Sequence, residues 1–129
     1  MGNCTVALFG EAERGEYSYG YYCRYLEELA ELFGNPPEDS SGLYYATQII
    51  LYHHPLIFFR VEEEGFSKQD YLRGVKILES SPHLEHVKAL CAPGVGDRSI
   101  LNALFPFCHE EQRLFITNEK DLLDYLLYV

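Results

Sequence analysis

The chain has 129 residues, with 10 Lys and Arg against 20 Asp and Glu, and a formal net charge of −10. Hydrophobic residues make up 47% of it and charged residues 23%, which excludes a disordered or fibrous chain and suits one globular domain over residues 1–129. The acid excess and the lack of clustered Lys and Arg argue against a nucleic-acid partner.

The opening Met1-Gly2-Asn3-Cys4-Thr5-Val6 has neither the basic nor the apolar region of a signal peptide. Gly2 also lacks the hydroxyl residue at the sixth position that N-myristoylation favours. Apolar runs such as Leu56–Phe59 fall far short of the ~18 residues of a membrane span. Cys4, Cys23, Cys91 and Cys108 are scattered, with no C-x2-C pair. Reduced, buried thiols in a soluble cytoplasmic protein are therefore expected, with no membrane partner.

In chain order, Thr5-Val6-Ala7-Leu8-Phe9-Gly10 reads as a strand buried on both faces. A polar loop, Glu11 to Tyr17, leads into a helix with Tyr22, Leu26, Leu29 and Phe33 on one face, ended by Gly34 and Asn35-Pro36-Pro37. Segment 41–54 reads either as a helix capped by Ser40 or Ser41, with Leu43, Thr47, Ile50 and Leu51 on one side, or as a strand. Pro55 closes it in both cases. Leu56 to Val61 is the second strand, followed by Glu62-Glu63-Glu64-Gly65.

The remainder repeats one pattern. Ser67-x-x-Asp70 is a capping box for a helix through Leu72, Val75 and Leu78. Val87–Cys91 is a third strand, and Asp97 caps a helix bearing Ile100, Leu101 and Leu104. Arg113–Thr117 is a fourth strand, and Asn118-x-x-Asp121 opens a helix with Leu122, Tyr125 and Leu126. Such alternation predicts a three-layer α/β sandwich, Rossmann-like or flavodoxin-like, with helices on both faces of a mostly parallel sheet of about four strands. The preferred strand order is 2-1-3-4.

In an open parallel sheet, ligands bind outside the carboxyl ends of the strands. Four segments should meet there: Gly10 to Glu16, Arg60 to Gly65, Ala92 to Ser99 and Thr117 to Glu119. Arg14, Arg60 and Arg98 sit in or beside them. Pro93-Gly94-Val95-Gly96-Asp97 joins a strand to a helix, so its backbone N–H groups and the helix N-terminus can approach an anion, with Arg98 as counter-charge. The competing reading is a tight turn at Gly94 and Gly96 with Asp97 as an ordinary N-cap. The predicted ligand-binding set is Arg14, Arg60, Gly94, Gly96, Asp97, Arg98 and Asn118.

Acids at the same edge, Glu11, Glu13, Glu63, Glu64 and Asp97, give Glu11, Glu63 and Asp97 as candidate acid/base residues for a glycosyl-bond or phosphate-ester reaction. Against this, the run Glu62-Glu63-Glu64 reads as solvated surface in preference to a catalytic cluster. Gly10-x4-Gly15 has P-loop spacing but is followed by Glu16-Tyr17, and Ser99 stands where a dinucleotide fingerprint needs its third glycine. His53-His54 diverge on a helix, and His83-x2-His86 precedes a strand, so no metal site is indicated. Cys91 reads as a buried thiol in preference to a nucleophile.

The 11 tyrosines include a cluster at Tyr17, Tyr19, Tyr21, Tyr22 and Tyr25 that suits stacking or a protein interface, with Tyr22 and Tyr25 also able to close the core. Two function classes follow. One is binding of a nucleotide-like or otherwise phosphorylated small molecule at the carboxyl edge. The other is a non-enzymatic acidic interaction module, with a basic protein or a second copy of the chain as partner through the apolar end Leu122 to Val129. No constellation of residues is specific to one family or cofactor.

Overall fold

A strand as apolar as Thr5–Gly10 is stable only where both of its faces are covered. In the computed structural model, which describes residues 4–128, these six residues form β1, buried throughout, between two parallel neighbours. The readings made on Met1 to Asn3 and on Val129 lie outside the described residues. The parallel strands β3 (Leu56–Arg60), β1, β4 (Val87–Cys91) and β5 (Leu114–Ile116) stand side by side in the 2-1-3-4 order expected of them.

A fifth strand corrects the expected count. β2 (Gly20–Cys23) lies antiparallel on the outer side of β3, giving the order β2-β3-β1-β4-β5. Gly20-Tyr21-Tyr22-Cys23 is aromatic and suits a pleated, half-covered surface. Tyr22 therefore belongs to this strand, and the helix after it, α1, is only Leu26–Phe33. Tyr22 and Tyr25 do not close the core: they are 37% and 62% exposed.

Segment 41–54 is settled as helix α2 (Gly42–Leu51). It is wedged into the structure on more than one side, burying Leu43, Tyr45, Ala46, Ile49 and Ile50, while Thr47 is half-buried and Leu51 exposed. α1, α2 and α5 (Glu119–Tyr128) cover one face of the sheet around Phe33, Ile49, Phe58 and Leu122. α3 (Lys68–Glu79) and α4 (Arg98–Glu110) cover the other around Phe9, Phe59, Tyr71 and Leu104. In α3 it is Tyr71, not Leu72, that enters the core, where Phe9 stacks on both Phe59 and Tyr71 at 4.9 and 5.0 Å. α5 buries Leu122, Tyr125 and Leu126, the face read from its spacing. No helix among the described residues is long and apolar enough to cross a membrane.

Candidate functional site

The chain leaves its four parallel strands at one edge, and the loops there touch in sequence across the sheet. The loop after β1 meets the loop after β3 through Glu11 and Glu64, whose side chains each accept the other's backbone N–H (2.8 and 2.9 Å). The loop after β3 meets the loop after β4 at Gly65, where an added Cβ would stand 2.5 Å from the Gly94 carbonyl oxygen. Gly94, at φ +79°, in turn donates its N–H to Thr117 after β5 at 3.4 Å. The strand order also reverses at this edge: the chain passes from β1 to β3 on one side, then back across to β4 on the other.

Glu64 is the centre of the arrangement. One of its carboxylate oxygens accepts N–H groups from Glu11 and Gly42, both at 2.8 Å, and the other accepts Ser41 N–H at 2.9 Å. Ser41 stands at the N-cap of α2 but supplies no side-chain bond, so the cap comes from Glu64. A carboxylate at a helix N-terminus meets both the free N–H groups and the positive end of the helix dipole. Gly42 and Gly10 make room for it, since a Cβ on either would stand 2.6 Å from the other's Cα. The reading of Glu62-Glu63-Glu64 as solvated surface is thus corrected for Glu64, while Glu62 and Glu63 are exposed.

Two further helix N-termini at this edge, those of α4 and α5, are filled by side chains close by in the chain. Asp97 accepts Ser99 N–H at 2.8 Å, Ile100 N–H at 3.2 Å and the Ser99 hydroxyl at 2.7 Å. The Ser99 hydroxyl, with the two N–H groups, holds the Asp97 carboxyl below its ordinary value. A general acid at neutral pH needs the opposite shift. Asn118 accepts Asp121 N–H at 2.8 Å and its side-chain amide donates to the Asp121 carboxylate at 3.1 Å, at the helix start read from the sequence. The box expected at Ser67 and Asp70 does not form. Ser67 instead exchanges bonds with the Glu63 backbone, and Asp70 accepts Glu62 N–H at 2.8 Å. Both side chains are drawn back by the tight loop that precedes α3.

Two of the three arginines are spent on the main chain. Arg60 donates to the carbonyls of Ala12, Glu13 and Gly15 (3.2, 3.3 and 2.7 Å) and lies over the Tyr17 ring at 4.4 Å. Arg14 donates to the Ala30 and Glu31 carbonyls at the end of α1, where a cation also complements the helix dipole. These contacts shape the loop after β1, and both guanidinium groups have acceptors within the chain. Of the predicted residues, Arg14, Glu63, Gly94, Gly96, Asp97, Arg98 and Asn118 are exposed, and among the described residues Glu63 and Arg98 make no side-chain hydrogen bond. Gly96 approaches nothing within 4 Å, so it is not held to glycine by crowding.

The clefts on the described surface include five of 220 to 800 Å³, and none of these five is lined by Glu11, Glu63, Gly94, Gly96, Arg98 or Asn118. Cys91, beside the Gly94 turn, is fully buried, and burial pushes its thiol well above the usual range. Such a thiol stays protonated and inert. The described residues hold no group of three or more His, Cys, Asp or Glu placed to bind a metal ion.

Sequence reasoning missed three anchors. Glu64 was one acid in a run of three, indistinguishable from its neighbours by type. Tyr71 accepts Gly65 N–H at 2.7 Å from inside the core and ties down the loop after β3. Arg113, only 9% exposed, donates to the carbonyls of Val87, Phe107 and Leu84 (3.0, 3.0 and 3.3 Å) beneath the opposite edge. An arginine at the entry to an apolar strand was the one available signal for it.

A scan against protein-family models, a search of curated proteins and a search of solved structures each returned no match.

Proposed function

We propose that this chain is a non-enzymatic, acidic protein-interaction module that takes up an extended basic segment along the open side of β2. The observation that carries the reading is the row of exposed tyrosines at an unpaired sheet edge. β2 pairs with β3 on one side and, among the described residues, with no strand on the other. Tyr17, Tyr19, Tyr22 and Tyr25 stand along it at 41, 55, 37 and 62% exposure. An added strand gains main-chain hydrogen bonds from such an edge, and side-chain pockets beside it give selectivity. A cleft of 670 Å³ between β2 and α3, lined by Tyr19, Tyr22, Ile77 and Pro82 among others, offers such a pocket.

Charge supplies the sign of the partner. The chain carries −10, and Arg14, Arg60 and Arg113 direct their donors to its own carbonyls. A basic segment is therefore drawn in over distance, with an on-rate that falls as salt rises. Cys23, Cys91 and Cys108, buried as free thiols, favour a reducing compartment such as the cytoplasm.

A nucleotide-like or phosphorylated ligand at the carboxyl edge ranks second. Its anion would have to displace Glu64 or Asp97 from the N–H groups they already occupy. The experiment is an NMR titration of the chain with a ten-residue peptide of alternating Lys and Val. Shifts are expected to centre on Gly20–Cys23, with affinity falling as salt rises and Tyr22→Ala weakening it roughly tenfold, or ~1.4 kcal/mol. Shifts that spare β2, or none at millimolar peptide, would overturn the reading.

A further inference from the structure

The opposite edge of the sheet carries a second, independent surface. Among the described residues β5 pairs only with β4, in parallel, with Leu90 beside Phe115 and Cys91 beside Ile116. Ile116 C=O accepts Ala92 N–H at 2.8 Å. In such a ladder, alternate residues direct both main-chain groups to the neighbour and those between direct both away. Leu114 and Ile116 therefore face β4, and Phe115 presents its N–H and its C=O outward.

Apolar side chains flank that residue on both faces. On one face, Phe105 of α4 is 47% exposed and stands edge-on to the Phe115 ring at 5.4 Å. On the other face, Leu114 lies on the side of Ile116 and α5, and is 46% exposed. The orientation of α5 follows from Tyr125, whose ring lies 6.0 Å from that of His54, just before β3. Tyr125 thus points toward the centre of the sheet. Leu123 and Leu127, two residues to either side and ~200° around the helix from it, point to the β5 edge. Leu127 is 57% exposed.

Natural edges are usually blunted by an outward charge, a proline or a bulge. The run Gln112-Arg113-Leu114-Phe115-Ile116-Thr117-Asn118 holds no acid and no proline, and its one charge, on Arg113, is turned inward. On the adjoining side of α5, Lys120 is bridged to Asp124 at 3.1 Å, and the exposed Glu119 precedes Leu123 and Leu127 on their i, i+4 stripe.

We infer that two copies of this chain associate through β5 about a two-fold axis at Phe115, joining two five-stranded sheets into one of ten strands. The donor and the acceptor sit on the same residue, so a two-fold axis satisfies both: each Phe115 N–H donates to the partner's Phe115 C=O, the closely paired geometry of an antiparallel ladder. The same axis sets α5 antiparallel to its copy, with Leu123 and Leu127 along the seam. Lys120 is then free to bridge to Asp124 of either helix. The run between Glu111 and Glu119 is itself free of acid, so the residues paired about Phe115 bring no two carboxylates face to face. The inference uses the edge opposite β2 and does not depend on the strand-addition reading.

The test combines sedimentation velocity with amide hydrogen exchange on the full chain and on the double variant Leu114→Lys/Leu127→Lys. The wild type is expected at twice the 14.9 kDa of one chain. Its Phe115 amide should be protected at high concentration and exchange freely on dilution. The double variant, altered only at exposed positions, should sediment as a single chain with an unchanged circular dichroism spectrum. A wild type that stays monomeric up to millimolar concentration would overturn the inference. So would a dimer whose Phe115 amide exchanges freely, whatever the variant does.

Discussion

Replacing Glu64 by Ala is expected to lower the melting temperature by on the order of 10 °C. The substitution strands the N–H groups of Glu11, Ser41 and Gly42 together, at a junction where Gly10 and Gly42 leave almost no space. A buried donor left without an acceptor costs ~1–3 kcal/mol. Water reaches part of this junction, so a total of roughly 3 kcal/mol is the reasonable sum. At a few degrees per kcal/mol for a domain of this size, that gives a fall of about 10 °C. Glu64→Gln should recover only part of it, because its amide NH2 would face donors where an oxygen now stands. Thermal denaturation followed by circular dichroism reads both variants. A fall of less than ~2 °C for Glu64→Ala, under 1 kcal/mol, would show that the clamp is dispensable.

Arg113→Leu is expected to be comparably severe at the other end of the sheet. The guanidinium binds three carbonyls that close the start of β4, the turn before it and the end of α4, and it packs over the Phe107 ring at 4.3 Å. Leucine fills part of the volume but leaves three acceptors facing apolar surface. Each contributes a penalty within the same ~1–3 kcal/mol range, so the urea midpoint should drop by the equivalent of roughly 3 kcal/mol or more. Arg113→Lys should rescue little, because a compact ammonium on a flexible stem cannot span three separated carbonyls as a planar fork does. If Lys restored the midpoint in full, charge alone would explain the site and the three-way clamp would not.

These two residues mark where sequence reading works and where it stops. β1, β3, β4 and β5 were legible because each is a short apolar run, and α5 because Leu122, Tyr125 and Leu126 share one face. β2 was hidden because Tyr22 happens to stand four residues before Leu26, a spacing that mimics a helix. Asp97 and Asn118 announced their caps, since the residues they bond lie within three positions along the chain. Glu64 caps a helix that starts 22 positions earlier, and no local pattern can carry that information. For the same reason Arg14 and Arg60 were read as free cations at a ligand edge, when their acceptors are carbonyls brought close only by folding.

The account turns on whether the carboxyl edge is closed by the chain's own side chains. Thermal denaturation of the intact protein against inorganic phosphate, nucleotides and sugar phosphates addresses that directly. A ligand at ~100 times its dissociation constant stabilises a fold by ~2.7 kcal/mol, which reads as several degrees here. A flat response across the panel is predicted, because Glu64, Asp97 and Asn118 already occupy the groups an anion would use. A specific rise of several degrees that Arg98→Ala abolishes would contradict the account and make that edge a phosphate site.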